Sequence, residues 1–394
     1  MECVPEAELR DRSAHLQKLL VSEDIDAALV TQNADLFYFA GIVNRAYLYI
    51  PAKGEPVLFF ARGAGRVRAE TKLRQVVELE QLKDLPAALR KMGYVLPERL
   101  GMESDVLPAA LYFRYQSIFA PAQLVDASPL IRKIRMIKSN WELEKIRASA
   151  LMGREVFSFV ENTIREGMTE FELCGQIECF ARKSGHPGMM RARGFNQEMQ
   201  YLLVVSGADA VLPGFNSGPL GGRGATAAYP SGPSNRRIGG HEPVLIDQSP
   251  WFEGYMADMT RVFAGGDLPA HMLHGYDTAL DIQRMLKKNA CPGSVCSELW
   301  TAARQIVRTN GLCEHFMGMM RQVGFVGHGV GLEVDEWPVI GPNSDRVLAE
   351  GMVIAIEPKF VFPDGPIGLE NTFVVGSGGL EPLIEMDDEI RYFR

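Results

Sequence analysis

The chain has 394 residues, of which 46% are apolar and 23% are charged, so it can bury a substantial core and is not expected to be disordered. Its 41 basic and 49 acidic side chains give a formal charge of −8, which argues against a nucleic-acid-binding protein. No apolar run is long enough to cross a membrane and the amino-terminal MECVPEAELRDR lacks the apolar segment of a signal peptide, so we expect a cytoplasmic protein with no membrane partner.

The first third of the sequence predicts a small α/β domain covering residues 1–132, since the whole chain is too long for one hydrophobic core. The elements predicted from apolar spacing are helices over 7–20, 83–91 and 107–118 and strands over 27–31, 46–50 and 57–60. Pro51 and Gly54 separate the last two strands, which is typical of a hairpin.

The second predicted domain, residues 133–394, begins with two helices that carry strong start signals. Ser139 with Glu142, and Thr169 with Glu172, have the spacing of a capping box. Helices are predicted from 139 to about 165, from 169 to about 185, and over about 270–289 and 295–309. Strands are predicted over 244–247 and near 353–357 and 368–375. The carboxyl-terminal part of this domain is therefore expected to be mostly β.

Acidic residues inside apolar strands are the strongest functional signal in the sequence. Asp247 ends VLID, Asp258 lies in GYMADMTRVF, Glu357 ends VIAIE and Glu370 lies in IGLENTFVV. One such acid is usually a strand-end cap or the partner of an arginine. Four in one half of the chain favour convergence around cations, because buried unpaired carboxylates are costly and repel each other.

His328 completes this set, because the glycines on either side in GHGVGLEV leave its imidazole accessible and favour a ligand over a structural histidine. Four carboxylates and one imidazole suit two divalent ions. The oxygen-rich set favours manganese or cobalt, with iron or zinc as alternatives. Two adjacent ions would activate a water and bind the carbonyl of a substrate.

The order of these candidate ligands resembles the pita-bread metallopeptidase family, which includes prolidase, aminopeptidase P, methionine aminopeptidase and the metal-free creatinase. VLIDQSPWFEGYMADMTRVF is similar to its two-aspartate motif, GHGVGLEV to its histidine motif, and GMVIAIEP and GLENT to its glutamate motifs. RMIKSNWELEKIR and the amino-terminal domain are similar too, and Xaa-Pro dipeptidase-like members match best. The resemblance implies an α+β protein: a creatinase-like α/β domain followed by a pita-bread domain with a curved antiparallel sheet.

The same resemblance implies how the site works. Asp258 and Glu370 would bridge the two metal ions. Asp247 would hold one ion, and His328 with Glu357 the other. Glu357 would also handle the proton of the nucleophile, a bridging hydroxide. The implied protein is a homodimeric peptidase of the Xaa-Pro dipeptidase or aminopeptidase type, acting on a short peptide or a small amide.

The sequence departs from the family where substrate is handled. Asp335 stands where proline-directed members carry a second histidine, and it is taken with Glu357 as a candidate catalytic residue. A further family histidine falls near Pro230, and Gly368 and Asn371 replace the arginine and aspartate of an RIED segment. Loss of one donor to an oxyanion can cost about 100-fold in rate.

Residues that could replace the missing histidines and arginine are predicted in the segment 213–240. This segment is rich in Gly, Pro and Ser, which predicts a long ordered loop. Arg223, Arg236 and Tyr229 are its candidate substrate-binding residues, because a guanidinium can pair bidentately with a carboxylate. The alternative is that these arginines are solvated loop charges.

Two other functions remain open at this stage. The missing histidines favour a non-peptide C–N hydrolase that acts on a small cyclic or guanidino compound. A non-catalytic binding homologue is disfavoured, since buried acids and an imidazole have no obvious use without cations.

Overall fold

A computed structural model of the chain describes residues 2–216 and 218–394. It separates into two compact units, the first ending at Arg135 and the second running from Met136 to Arg394. The boundary predicted from the sequence lies at residue 132. None of the helices in the described part of the chain has the length and apolarity needed to span a membrane.

The first unit is a six-stranded mixed sheet with helices, as expected for an α/β domain. Its strands are β1 (Ala27–Val30), β2 (Ala46–Pro51), β3 (Val57–Phe60), β4 (Gln75–Glu78), β5 (Arg99–Met102) and β6 (Gln123–Asp126). Its helices are α1 (Glu6–Ser22), α2 (Asn33–Ala40), α3 (Ala64–Glu70), α4 (Leu85–Lys91), α5 (Ala109–Ile118) and α6 (Ser128–Arg135). The strand order is β4-β3-β2-β1-β5-β6, and β2 and β3 form the predicted antiparallel hairpin. All four residues of β1 and of β3 are buried, which explains their continuous apolar runs.

The second unit contains four α-helices and most of the strands. Its helices are α7 (Asn140–Thr163), α8 (Glu170–Lys183), α9 (Ala270–Asn289) and α10 (Cys296–Thr309). Its strands up to the middle of the unit are β7 (Leu202–Ser206), β8 (Val244–Gln248), β9 (Trp251–Phe252), β10 (Tyr255–Met256) and β11 (Met259–Ala264). The later strands are β12 (Gly327–Gly329), β13 (Glu336–Ile340), β14 (Val353–Ile356), β15 (Lys359–Phe362), β16 (Gly365–Gly368), β17 (Asn371–Gly376), β18 (Gly379–Pro382) and β19 (Arg391–Tyr392).

Two sheets of this unit bring the predicted ligands to neighbouring strands. One has the order β19-β11-β8-β7 and the other the order β13-β12-β14-β17-β18. Thr260 and Glu370 form a bridge between the two, donating their backbone N–H groups to each other's carbonyls at 3.2 Å. Apart from the β11–β19 pair, the named strands of the described residues in this unit pair antiparallel, as the fold class predicted.

The helices of this unit begin where the sequence predicts. Ser139 and Thr169 are the N-caps of α7 and α8, and each forms a complete capping box with the glutamate three residues later. On α9, residues at helical spacing are buried in the core against the later strands, and they include Met272, Ala279 and Leu286. Packing of this helix on β15, β16 and β18 supports the strands that carry the candidate site.

The segment 213–240 contains no named helix or strand among its described residues, in agreement with the predicted loop. Buried Glu170, at the start of α8, fixes the end of this loop. Its two carboxylate oxygens accept hydrogen bonds from the backbone N–H and hydroxyl of Ser206 and of Ser234, at 2.7 to 2.9 Å. Burial nevertheless raises the pKa of Glu170, because four donors only partly offset its desolvation.

Candidate metal centre

Five strand ends of the second unit supply the predicted ligands to one place. Asp247 lies in β8, Asp258 directly before β11 and His328 in β12, while Glu357 follows β14 and Glu370 precedes β17. β8 pairs with β11, and β12 pairs with β14, which in turn pairs with β17. Because paired strands lie about 5 Å apart, residues near corresponding ends of these strands meet on one side. Four of the five are buried, and Asp247 is partly open.

His328 faces the carboxylates with its Nε2 atom. This atom lies 3.3 Å from Glu357 Oε1 and 3.9 Å from both Asp258 Oδ2 and Glu370 Oε1. The other ring nitrogen, Nδ1, lies 3.1 Å from the carbonyl oxygen of Gly329. Burial opposes the charged form of His328, but the hydrogen bond to Glu357 and the charges of Asp335, Glu357 and Asp258 raise its pKa well above the usual value, so Nε2–H faces Glu357 Oε1. A metal ion would displace that proton and bind Nε2, with Nδ1–H donating to the Gly329 carbonyl, as metal-binding histidines do.

Asp258, His328 and Glu370 form a buried group that could hold a cation, since one ligand atom from each lies within 4.8 Å of the others. Oε1 of Glu370 is buried and accepts no hydrogen bond. An orphaned carboxylate oxygen is expensive unless an ion or water satisfies it. The residues present therefore fit a divalent ion on this side of the centre.

A buried lysine that the motifs did not reveal lies on the other side of the centre. Lys359 Nζ donates to Glu357 Oε2 and Glu370 Oε2, both at 2.8 Å, and to Asp247 Oδ2 at 3.2 Å. Its side chain is 1% exposed. A signal was present in the sequence, because Glu357 and Lys359 are two residues apart where a strand begins and so share one face.

The crowding of charges shifts the pKa values in opposite directions. Burial and the neighbouring carboxylates raise the pKa of Asp258 well above its usual range, and burial raises that of Glu370 to about 7 against the opposing charge of Lys359. Burial also acts on Glu357, but Lys359 and His328 outweigh it and lower its pKa to about 2. Without a metal ion, Asp258 therefore favours its protonated form, Glu370 titrates close to neutral pH and Glu357 remains ionised.

We expect metal affinity to fall as the pH falls below 7. A divalent ion must displace the proton from Glu370, whose pKa is about 7, so each pH unit below that value should weaken binding by about tenfold. The raised pKa of Asp258 makes the dependence steeper. Chelator-competition titrations of Mn²⁺ or Co²⁺ at about pH 5.5, 6.5 and 7.5 measure this slope, and equal affinity at all three would contradict the arrangement.

Hydrogen bonds from neighbouring strands position the two acids. Ser249 Oγ donates to Asp258 Oδ1 at 3.0 Å, and the Asp258 backbone N–H donates to Thr372 Oγ1 at 2.8 Å. Thr260 Oγ1 donates to Glu370 Oε2 at 2.9 Å. The buried guanidinium of Arg261 donates to the backbone carbonyls of Thr260 and Glu370.

The predicted substrate residues of the loop are engaged with their own chain. Arg223 donates to both carboxylate oxygens of Asp209, at 2.8 and 3.0 Å, and Arg236 pairs with Glu242 and with the carbonyl of Ser206. The hydroxyl of half-buried Tyr229 donates to the carbonyl of Glu198 at 3.2 Å. A substrate role for these three residues stays a prediction.

The residues that depart from the family pattern, Asp335, Asn371 and Gly368, lie close to the centre or to its supporting network. Asp335 Oδ1 lies 3.7 Å from His328 Nδ1, and about half of its side chain is exposed, at 49%. Asn371 joins a buried network, donating to Gln283 Oε1 and Asp388 Oδ1 at 2.8 Å. Gly368 is the cross-strand partner of Lys359. A catalytic role for Asp335 stays a prediction.

Comparison with known families agrees with this geometry. The model of metallopeptidase family M24 matches residues 144–377, which include all five predicted ligands. The model of the creatinase/prolidase N-terminal domain matches residues 12–137, which corresponds to most of the first unit.

Individual relatives match along nearly the whole chain. An Xaa-Pro dipeptidase of Pyrococcus furiosus is 26% identical over 387 residues, covering 97% of this chain and all of the relative. Among solved structures, an Xaa-Pro dipeptidase from Bacillus anthracis has a TM-score of 0.83 at 22% identity, covering 98% of this chain and 100% of its own. An X-Pro aminopeptidase from Thermotoga maritima has a TM-score of 0.79 at 25% identity, covering 96% of this chain and 99% of its own.

Proposed function

Because the chain belongs to metallopeptidase family M24, we propose that it is a metal-dependent hydrolase of the amide bond in short peptides with an Xaa-Pro sequence. The finer assignment is supported by relatives named as Xaa-Pro dipeptidase and X-Pro aminopeptidase that match nearly the whole chain. A function of this kind requires a divalent ion, a residue that handles a proton and a bound peptide.

The observation that carries the proposal is the buried group of Asp258, His328 and Glu370 with the unsatisfied Oε1 of Glu370. Structural carboxylates are normally satisfied by donors, whereas this oxygen and His328 Nε2 point at a shared space. A divalent ion bound there would activate a water for attack and polarise the carbonyl of the substrate. Family membership makes this use of the space the expected one.

The residues of the chain would supply the remaining functions. Glu357 keeps its charge at neutral pH, and Oε1, the oxygen that Lys359 does not contact, is the atom that would accept the proton of the attacking water. Asp335 is the second candidate for a catalytic group, since it is partly exposed and lies beside His328. Because Asp335 carries a carboxylate where proline-directed relatives have a histidine, we expect other groups of this chain to bind the peptide.

A substrate panel tests the proposed function. Protein equilibrated with Mn²⁺ or Co²⁺ should hydrolyse Xaa-Pro dipeptides or Xaa-Pro-Yaa tripeptides at least about tenfold faster, in kcat/KM, than the matching Xaa-Ala peptides. The measurement is the release of free proline or of the first amino acid, quantified by chromatography. The matched control is the same protein after treatment with a chelator, which should be inactive.

The other outcomes point to different functions. Turnover of a small cyclic amide or guanidino compound without turnover of any peptide would establish the non-peptide hydrolase. This alternative is favoured by Asp335 and Gly368, which replace a histidine and an arginine of the family pattern. A protein that binds no metal and hydrolyses nothing would be a non-catalytic homologue. The number of ions in the centre is a separate question, because Lys359 already places one positive charge there.

A further inference from the structure

Lys359 lies beside Asp247 and Glu370, two of the ligands that the family resemblance predicts for one of the two metal ions. Its ammonium contacts one oxygen from each of three predicted ligands, Asp247, Glu357 and Glu370. Divalent ions bind carboxylate oxygens at about 2.0–2.6 Å, and they need the same lone pairs that the ammonium protons now use. An ion and the ammonium therefore exclude each other on this side of the centre.

The backbone fixes the lysine in this position. Lys359 begins β15, and its carbonyl accepts a hydrogen bond from the backbone N–H of Met317 at 2.8 Å. Its cross-strand partner is Gly368, where a Cβ atom would lie 2.7 Å from Lys359 Cα and 2.5 Å from the carbonyl oxygen of Pro358. Gly368 also has a φ of +151°, which side-chain-bearing residues rarely adopt.

Gly368, a departure from the family pattern, and Lys359 are thus parts of one arrangement. The glycine at 368 replaces the family arginine, and any side chain there would collide with the backbone that carries Lys359. Lys359 in turn brings a positive charge of its own to the acidic centre, close to the ligands. The positive charge that is absent at position 368 is thus present at position 359.

The two oxygens of Glu370 divide the centre. Oε2 accepts from Lys359 and from Thr260, whereas Oε1 has no hydrogen-bond partner and faces His328 Nε2 at 3.9 Å. Asp258 lies on the Oε1 side, with its Oδ2 also 3.9 Å from His328 Nε2. The Oε2 side is therefore satisfied by donors of the chain itself, whereas Oε1 remains available to bind a cation.

We propose that the ammonium of Lys359 takes the place of one of the two metal ions, so that this chain binds a single divalent ion through Asp258, His328 and Glu370. The inference rests on the proposed function only in treating this cluster as a metal centre. Four carboxylates carry a charge of −4, and the ammonium with one divalent ion supplies +3, so the ammonium provides part of the compensation that a second ion would otherwise give to Asp247 and Glu370.

The test is metal stoichiometry, which does not depend on finding the substrate. The full chain is equilibrated with excess Mn²⁺, desalted, and analysed for manganese by elemental analysis and for Mn–Mn coupling by electron paramagnetic resonance. We expect about one ion per chain with the six-line spectrum of an isolated Mn²⁺. K359A removes both the charge and the steric block and should raise the stoichiometry to about two, with a coupled spectrum. The matched control K287A, an exposed lysine of α9, should remain at the wild-type value.

Each result has one meaning. Two coupled ions in the wild-type chain would overturn the inference while leaving the metallopeptidase proposal intact, and this result does not require any variant to fold. One ion in both the wild type and a folded K359A would also overturn it. One ion in the wild type without hydrolysis of any peptide would leave the inference standing and remove the proposed substrate. No bound ion at all would remove both.

Discussion

Replacement of Asp258 by asparagine is expected to abolish tight metal binding and to lower kcat/KM on a peptide substrate by about a thousandfold or more. Asparagine keeps the size of the side chain and an oxygen that can accept from Ser249 Oγ, but it removes a negative charge from a buried cation site. A metal ion contributes several kcal/mol to stabilising the transition state, and each 1.4 kcal/mol is a factor of about ten.

The same variant should not destabilise the metal-free protein. Burial and the charges of Glu370 and Asp247 raise the pKa of Asp258, which means that its ionised form is disfavoured in the folded state. D258N removes this repulsion, so its Tm without metal should equal or exceed that of the wild type. Metal at 100 times its Kd stabilises a protein by about 2.7 kcal/mol, roughly 5–10 °C in Tm for a unit of this size, and D258N should lose that increase.

Exposed Asp277 on α9 offers the matched control for this experiment. D277N makes the same chemical change away from the centre and should keep both the metal-induced rise in Tm and the activity. A D258N protein that retains the metal-induced rise would show that Asp258 does not bind the ion, even if the activity were lost.

Much of the second unit could be predicted from local sequence signals. The capping boxes at Ser139 and Thr169 predict the starts of α7 and α8, and α9 is predicted over about 270–289, close to its observed bounds. These signals are strong because each depends on residues within one or two helical turns. The elements missed in the first unit, such as α2 (Asn33–Ala40) and β4 (Gln75–Glu78), are too short to show a period.

The candidate site could be predicted only as a set of positions. Acids in apolar strands identified Asp247 and its partners, but sequence spacing contains no information on which oxygen faces which cation. The glutamate motif GMVIAIEP ends at Pro358, so Lys359 lies outside the pattern that predicts the ligands, and two metal ions alone would balance the predicted carboxylates. A lysine at the head of the apolar run KFVF is itself a signal, since a buried ammonium requires nearby carboxylates.

The loop arginines show a second limit. Arg223 and Arg236 are predicted to bind substrate because a guanidinium can pair with a carboxylate. In the structure each pairs with a carboxylate of its own chain, Arg223 with Asp209 and Arg236 with Glu242. Those acids are 14 and 6 residues away along the chain, and tertiary folding decides whether a loop arginine meets its own chain or a ligand. Composition alone cannot separate the two.

Replacement of Arg261 by alanine is expected to destabilise the protein by about 3–5 kcal/mol, the largest effect on stability of any change considered. The side chain is fully buried, and its guanidinium donates to five acceptors at 2.8 to 3.1 Å. The acceptors are the carbonyls of Thr260, Glu370 and Asp387 and the side chains of Asn371 and Asp388. R261A leaves them without this donor and leaves Asp388 without its ion pair.

Chemical denaturation measures this loss, with R284A as the matched control. Arg284 on α9 makes an exposed ion pair with Asp281, so its removal should change the free energy of unfolding by no more than about 1 kcal/mol. Similar losses for R261A and R284A would contradict the structural role of the buried guanidinium. Should R261A not fold, R261K keeps the charge and remains informative.

R261K separates a role at the metal centre from a role in stability alone. An ammonium has three donors and cannot reach all five acceptors, so the carbonyls of Thr260 and Glu370, which form the bridge between the two sheets, would be held less firmly. Because Glu370 is a candidate ligand on that bridge, we expect R261K to bind Mn²⁺ about 10-fold to 100-fold more weakly. A folded R261K with unchanged metal affinity would mean that Arg261 stabilises the sheets without positioning the ligand.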